Sequence, residues 1–440
     1  MANIIDIPDN TDTIHKIGDH IMQYQALQNA FLDSLVNRIA MMLITSRLWR
    51  NPLSVRFKRG MLEYGETVEE IFVNIAKPFR FNPDGSQNTV WKIEKPDVRA
   101  AFHTMNWQKY YKVSISTAQL RQAFLSAEGI ADLVAYIVDA LYTAMNYDEF
   151  LTMKYMMAKS IINGYVYPVQ VAAVTGSGAD PSDSIVKFRQ LTNDLTFLDT
   201  QYNMAGVFNS TPVDDQVIII GNEVEAVLGV DVLANAFNLN QADYISQRIA
   251  VNAFDFSAAE QERLGELFGD DPDYEPIAGA DLTLLQSVVG FKCDEKWFMN
   301  FDNFQEMTQL YNGEGLYWQY WLHSWKTFSI SPFANAVVFL TQASSITGVD
   351  VSPATADVTQ GSMIQMTAEV VGTGAYKQTV TWEIEAGTGA LASGTTIGED
   401  TGLLRVAADQ AADSTITVTA RAVDGQTGTA TITVKARLGE

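Results

Sequence analysis

Cysteine is nearly absent: Cys293 is the one such residue in a chain of 440. A single thiol excludes an intrachain disulfide framework and any metal cluster built on cysteine spacing. Histidine is almost as sparse, and His15, His20, His103 and His323 stand in no metal-binding spacing such as HExxH. Lys and Arg number 29 against 52 Asp and Glu, for a net charge of −23. That balance weighs against sequence-independent binding to phosphate, which basic side chains drive. No apolar run approaches the length of about 20 residues that crosses a bilayer, so no membrane partner is expected. Residues 1–10 (MANIIDIPDN) carry no basic cluster followed by an apolar stretch, so no export signal is expected there, and synthesis inside the cell is the expectation.

What is present is a 47% hydrophobic chain, long enough for two or three domains. The most visible division lies near residue 344. Beyond it the chain turns Thr-rich and alternating, as in 414–420 (STITVTA) and 430–434 (ATITV), the pattern of short half-buried strands. Residues 346–440 are therefore expected to form a small all-β sandwich.

Before that division the patterns are mixed. Leu27, Phe31, Leu35, Ile39 and Leu43 recur every four residues, which predicts an amphipathic helix over 25–47. Asn51-Pro52 reads as its stop, and 55–58 (VRFK) and 90–94 (VWKIE) read as strands of a long two-stranded excursion with a turn at 81–86. Two strands alone are marginal in water, so such an excursion predicts contact with another subunit. Apolar spacing of three or four over 117–162 predicts a long helix, with Thr117 as N-cap, a break near Glu128-Gly129 and a stop at Asn163-Gly164. A helix near 184–198, a strand at 217–220 flowing into a helix over 224–237, and an acidic loop at 270–276 follow. The strand-to-helix order argues for an α+β unit. The aromatic block 315–325 (GLYWQYWLHSW) and 328–340 read as two closing strands.

Chemistry is hard to find. The loop 175–178 (TGSG) lacks the ending of a phosphate loop and the third glycine of a dinucleotide fingerprint. Glu69-Glu70 and Glu223 with Glu225 are acidic pairs without a partner base or nucleophile. His323, between tryptophans, and Cys293, in an apolar strand, read as core or interface residues. The expectation is no catalytic residue, no cofactor, no metal and no enzyme.

Several dispersed segments carry a resemblance: 31–39 (FLDSLVNRI), 67–71 (TVEEI), 230–238 (VDVLANAFN), 296–299 (KWFM), 315–318 (GLYW) and 333–337 (FANAV), with 351–353 (VSP) and 381–383 (TWE) in the tail. Together they resemble the major capsid proteins of φ29-like tailed phages, of Hong Kong 97-type (HK97-like) fold with a C-terminal bacterial Ig-like group 2 domain. The resemblance implies an N-terminal arm (1–50), an extended loop (51–100), peripheral and axial domains (101–343) with the 117–162 helix as spine, and an Ig-like domain (346–440). It also implies assembly of many copies, as hexamers and pentamers, into an icosahedral or prolate head around double-stranded DNA, with scaffolding and portal proteins as partners. The place would be the virion shell, built in the host cytoplasm. Some members of the wider fold crosslink their subunits; charge pairs between subunits are the simpler expectation here, with Arg56, Lys58, Arg59, Glu63, Glu66, Glu69 and Glu70 as candidate contacts. Under this reading the negative charge keeps DNA off the inner wall, and the Ig-like domain ties subunits together, decorates the surface or contacts a head fibre or the host. A secreted adhesin is the alternative, and it would need an export signal and usually tandem Ig repeats.

Overall fold

The computed structural model of the chain describes residues 48–62, 67–79, 93, 95–116, 127–174, 179–227 and 247–437. The expected N-terminal helix (25–47), the turn at 81–86, Thr117, the 175–178 loop, most of the 224–237 helix and nearly all of the 90–94 strand lie outside them.

In chain order the elements are α1 (Ser54–Phe57), β1 (Lys58–Met61), β2 (Thr67–Val73), β3 (Val98–Thr104), β4 (Trp107–Ser116), α2 (Ala127–Ile162), β5 (Tyr167–Gln170), α3 (Pro181–Asp194), β6 (Gln216–Gly221), β7 (Gln247–Val251), α4 (Ala258–Phe268), α5 (Ala280–Gln286), β8 (Val288–Asp294), β9 (Asn300–Asn312), β10 (Tyr317–Thr327) and β11 (Ala336–Leu340). The tail adds β12 (Ser345–Ser352), β13 (Thr355–Thr359), β14 (Met363–Gln365), β15 (Thr367–Thr373), β16 (Val380–Thr388), β17 (Thr396–Ile397), β18 (Leu403–Arg405), β19 (Thr415–Ala422) and β20 (Thr427–Lys435).

The described residues fall into two compact units. The smaller takes 48–49, 110–116, 127–145 and 307–322, and its core is Tyr111, Leu141, Met145 and Leu322. The larger holds the rest of the body and the tail.

At the centre of the larger unit is a mixed five-stranded sheet in the order β5-β11-β8-β6-β7. Side chains alternate across a strand, so a sheet covered on both faces needs apolar residues at every position. The strands β6, β8 and β11 are buried throughout. Val217, Ile219, Phe291, Cys293, Val338 and Leu340 face one core, against Phe150, Met153, Met157 and Ile161 of α2. Ile218, Ile220, Val289, Val337 and Phe339 face the other, against Phe188 and Leu191 of α3. At Gly290 an added Cβ would come within 3.4 Å of the Phe188 ring, so glycine here lets α3 settle on the sheet.

Gln216 and Asp294 are polar at strand ends, but Lys292 breaks the apolar rule in the middle of the sheet. Lys292 of β8 is 1% exposed, and its amine donates to Thr192 Oγ1 of α3. Burial pulls that amine down to about 7 from its ordinary 10.5. Between those values the unfolded chain holds a proton that the folded chain lacks, so stability rises as pH rises from 7 toward 10.5 and is lowest below that window. Lys292→Met is expected to flatten this slope and raise the melting temperature at pH 6, at about 1.4 kcal/mol per pKa unit relieved. Melting curves from pH 6 to 10 check it; parallel curves for the two proteins would contradict it.

The long helix ends as expected. Gly164 lies at φ +68, with Gly164 N donating to Ile161 O and Tyr165 N to Ser160 O. This is the Schellman arrangement, which favours glycine at its left-handed position. The expected break near Glu128-Gly129 falls within the first turn of α2, which then runs unbroken.

Three expectations are corrected. Residues 54–57 are a short helix rather than a strand: Asn51 Oδ1 accepts the Leu53 N–H, Ser54 N donates to Asn51 O, and Leu53 and Phe57, four apart, are both fully buried. The paired strands of the excursion are β2 and β3, with Thr67 opposite Thr104 and Val73 opposite Val98. Of 328–340, only 336–340 forms a strand of the sheet; the preceding stretch carries a single bridge at Ile330 and turns around Ser331, whose hydroxyl accepts from Phe333 N and Ala334 N.

The tail has its own core. Ile416, Val418, Ala420, Ile432, Val434, Val358 and Trp382 pack together, while the alternating threonines of β19 and β20 lie on the other side. Each fully buried Ile or Val contributes about 1.5–3 kcal/mol, so 15 buried apolar residues make a core in their own right. Its sheets run β13-β20-β19-β16, β12-β15 and β14-β18-β17.

Candidate assembly surface

The strands β2 and β3 form a separate two-stranded ribbon, and its two faces differ. On the inner face lie Val68, Glu70 and Phe72 opposite His103, Ala101 and Arg99. Phe72 stacks on Phe333 at 5.4 Å between ring centroids. On the outer face are Glu69, Ile71 and Val73 opposite Phe102, Ala100 and Val98. Ile71, Val73, Val98 and Phe102 are each more than half exposed, as are Ile75 and Phe79 just beyond β2. Isolated exposed apolar residues are normal, but here four of them share one face of the ribbon, the arrangement that makes it a candidate interaction surface.

The inner face is pinned by a polar cluster. His103 is 2% exposed; its Nδ1 lies 2.7 Å from Ser329 Oγ and its Nε2 3.2 Å from Glu70 Oε2. Ser331 Oγ donates to the other oxygen of Glu70 at 2.9 Å. A serine, histidine and carboxylate in line are also the parts of a nucleophilic triad. Here the four side chains join β2 and β3 to the 329–331 turn. The cluster holds the ribbon to the turn after β10. Arg99 adds a second anchor: its guanidinium donates to Ala205 O at 2.5 Å and pairs with Asp97 at 3.3 Å and Asp400 at 2.5 Å.

A second polar cluster sits under α1 and β1. Lys58 Nζ lies 2.6 Å from Asp302 and 3.8 Å from Glu149. Burial would lower the Lys58 amine, but Glu149 and Asp302 outweigh it and hold it above its ordinary value. Glu149, on α2, also accepts from the buried Lys326 of β10 and, at 3.1 Å, from Asn51 Nδ2. Beside it on α2, Asp148 pairs with Arg263 at 2.8 Å, and further along Lys154 pairs with Glu260 at 3.1 Å. Glu260 also closes the capping box of α4 with Ser257, and these partners hold its carboxyl below the usual range despite burial. Three elements far apart in the chain, β1, α4 and β10, are thus pegged to one stretch of α2 by ion pairs.

The candidate contact residues are accordingly dispersed. Glu69 is exposed on the outer face, whereas Glu70 is turned inward to His103 and Ser331; a strand sends adjacent side chains to opposite faces. Lys58 is committed within the chain to Asp302 and Glu149. Arg59 Nε donates to Phe298 O at 3.2 Å, and Arg56 lies 3.9 Å from Glu295 with both side chains partly exposed. Glu63 and Glu66 lie outside the described residues. Missing from the sequence-based set were Ile71, Val98 and Phe102. The alternation of 67–73 was their signal, but the partner strand VRAAFHT hides its period behind arginine and two alanines.

Among the described residues no group of three or more His, Cys, Asp and Glu is placed to hold a metal ion, and no helix is long and apolar enough to cross a membrane.

A family model for Phi29-like phage major capsid proteins matches residues 7–340, ending at the last residue of β11. The major capsid protein of Bacillus phage PZA is 31% identical over 411 residues, covering 93% of this chain and 84% of the relative. That of Bacillus phage B103 is 32% identical over 414 residues, with the same coverage of 93% and 84%. Among solved structures, a chain in the capsid structure of Staphylococcus phage Andhra superposes with a TM-score of 0.53 at 15% identity, over 69% of this chain and 88% of that one. A chain in the structure of the head fiber and inner core protein gp22 of bacteriophage P68 gives a TM-score of 0.53 at 14% identity, with the same coverage of 69% and 88%. At such identity the two structures establish a shared α+β fold, while the sequence relatives, both major capsid proteins, carry the assignment and lend the adhesin reading no support. The family match over three quarters of its length and the capsid relatives across nearly all of it leave one conclusion: this chain belongs to the Phi29-like phage major capsid protein family and is a structural subunit of the virion shell.

Proposed function

We propose that many copies of this chain close into an icosahedral or prolate head around double-stranded DNA, and that the β2/β3 ribbon is the part of an extended loop (51–100) that lies across a neighbouring subunit. The observation that carries this is the outer ribbon face, where Ile71, Val73, Val98 and Phe102 are each more than half exposed although the ribbon is pinned to the body. A closed shell needs repeated heterologous contacts, and a fixed arm with an apolar face supplies one such contact per copy. In the HK97-type arrangement α2 is the spine, residues 1–50 the N-terminal arm, 101–343 the peripheral and axial domains, and 346–440 the Ig-like domain. Scaffolding and portal proteins serve as assembly partners, the DNA is enclosed without sequence-specific contacts, and the chain performs no catalysis.

Charge pairs between subunits are narrowed to the exposed members of the candidate set, Glu69, Arg56 and Arg59. Exposed pairs contribute about 0–1 kcal/mol each, which matters only through repetition. Sedimentation of the purified chain with its scaffolding protein tests the reading. The wild type is expected to form closed shells and Glu69→Lys to form fewer of them at low salt. Persistence of the wild type as monomers would contradict shell formation; equal yields for the variant would remove the charge pairs alone.

A further inference from the structure

One loop of the body, residues 201–205, presents successive odd-numbered carbonyls to two other parts of the chain. The carbonyls of Gln201 and Asn203 accept from Lys377 Nζ, at 2.6 and 2.7 Å. Lys377 stands in the tail between β15 and β16 and is 3% exposed. The next carbonyl in the series, that of Ala205, accepts from Arg99 of the ribbon at 2.5 Å, and the same guanidinium reaches the tail's Asp400 at 2.5 Å. Body, tail and ribbon therefore meet at a single place.

The body is shaped for this contact. Gln378 N donates to Gly164 O at 3.1 Å, directly after α2 ends. A Cβ at Gly164 would collide with Tyr376 O, so the glycine that caps the helix also admits the tail. Ala375 is buried in the body's own core. Backbone carbonyls, a buried amine and a matched glycine make this an interface rather than a chance touch. A buried amine leaves its water only where acceptors replace it.

We propose that the tail module is an intrachain brace: docked on the 201–205 loop through Lys377, it uses Asp400 to fix Arg99 and so sets the direction in which the β2/β3 ribbon leaves the body. Asp97 also holds Arg99, but it lies at the ribbon's own end and cannot orient the ribbon against the body. Asp400 is anchored through the tail and can. The value of a fixed direction rests on the proposed role of the ribbon in shell contacts, but the brace itself is a property of the free subunit and is tested there.

The experiment is hydrogen exchange on the full-length, unassembled chain, comparing wild type, Asp400→Asn and the double variant Lys377→Met with Asp400→Asn. Amides of β2 and β3 are expected to exchange about tenfold faster in the double variant and by a smaller factor in Asp400→Asn, a tenfold change being about 1.4 kcal/mol of local opening. Amides of β19 and β20 in the tail core are expected to keep their protection, which shows that the tail is folded and only undocked. A Gly164→Ala chain, which pushes Tyr376 away without touching a charge, is expected to loosen the ribbon in the same way. Unchanged ribbon exchange in the double variant, with the 375–378 amides deprotected, would overturn the brace. Failure of the wild type to form shells would leave this result standing and count only against the assembly role.

Discussion

Glu149→Ala is expected to destabilise the subunit by about 3–5 kcal/mol, because it leaves a buried ammonium without its main counter-ion. The carboxylate is 4% exposed and serves three partners, Asn51 and Lys58 on either side of α1 and Lys326 of β10. Lys326, itself 3% exposed, would keep Asp302 at 3.6 Å, which places the loss toward the lower end of the range. The double variant Glu149→Met with Lys326→Met is expected to recover most of it, since a buried pair exchanged for apolar side chains of similar volume is often neutral or better. Denaturant midpoints for the wild type, single and double variants check this. A single variant within 1 kcal/mol of the wild type, or a double variant worse than the single, would show that the cluster does not hold α1, α2 and β10 together.

Ile71→Asp is expected to leave the subunit folded and to abolish assembly. Ile71 is 58% exposed and faces Ala100, so a carboxylate there meets no charge directly across the ribbon and remains in water in the free subunit. In a shell the same carboxylate would be buried without a partner, a penalty of several kcal/mol at every copy. Wild-type melting temperature with no sedimenting shells is the expected pair of results. Normal shells from this variant would place the outer ribbon face away from the subunit contact.

The parts legible in the sequence were those whose pattern is long relative to its period. The tail strands β19 and β20 alternate over eight and nine residues, and α2 carries its stop in Asn163-Gly164, so each could be read directly. Four residues cannot separate a strand from one helical turn, and 55–58 misled for that reason: Leu53 and Phe57 are joined by a helical spacing that the Val55-Phe57 alternation conceals. The buried charges were illegible for a different reason. Asn51 and Glu149 are 98 residues apart, and Glu149 and Lys326 are 177 apart, so their pairing is a product of topology. The candidate pair Glu69-Glu70 shows the cost of reading charge without facing, since one residue of offset sends Glu70 to His103 and leaves Glu69 in solvent. Lys377 gave no sign at all; a lysine in a loop between strands looks solvated until the carbonyls of 201 and 203 are seen around it.

The central claim is that this chain is a shell subunit joined to its neighbours through the outer face of its ribbon. Electron cryomicroscopy of heads assembled from it tests that most directly. The account predicts a closed shell in which Ile71, Val73, Val98 and Phe102 of every copy are covered by an adjacent subunit, with the tail still seated on the 201–205 loop of its own chain. A shell in which that face is open to solvent, or particles that lack this chain from the wall, would contradict it.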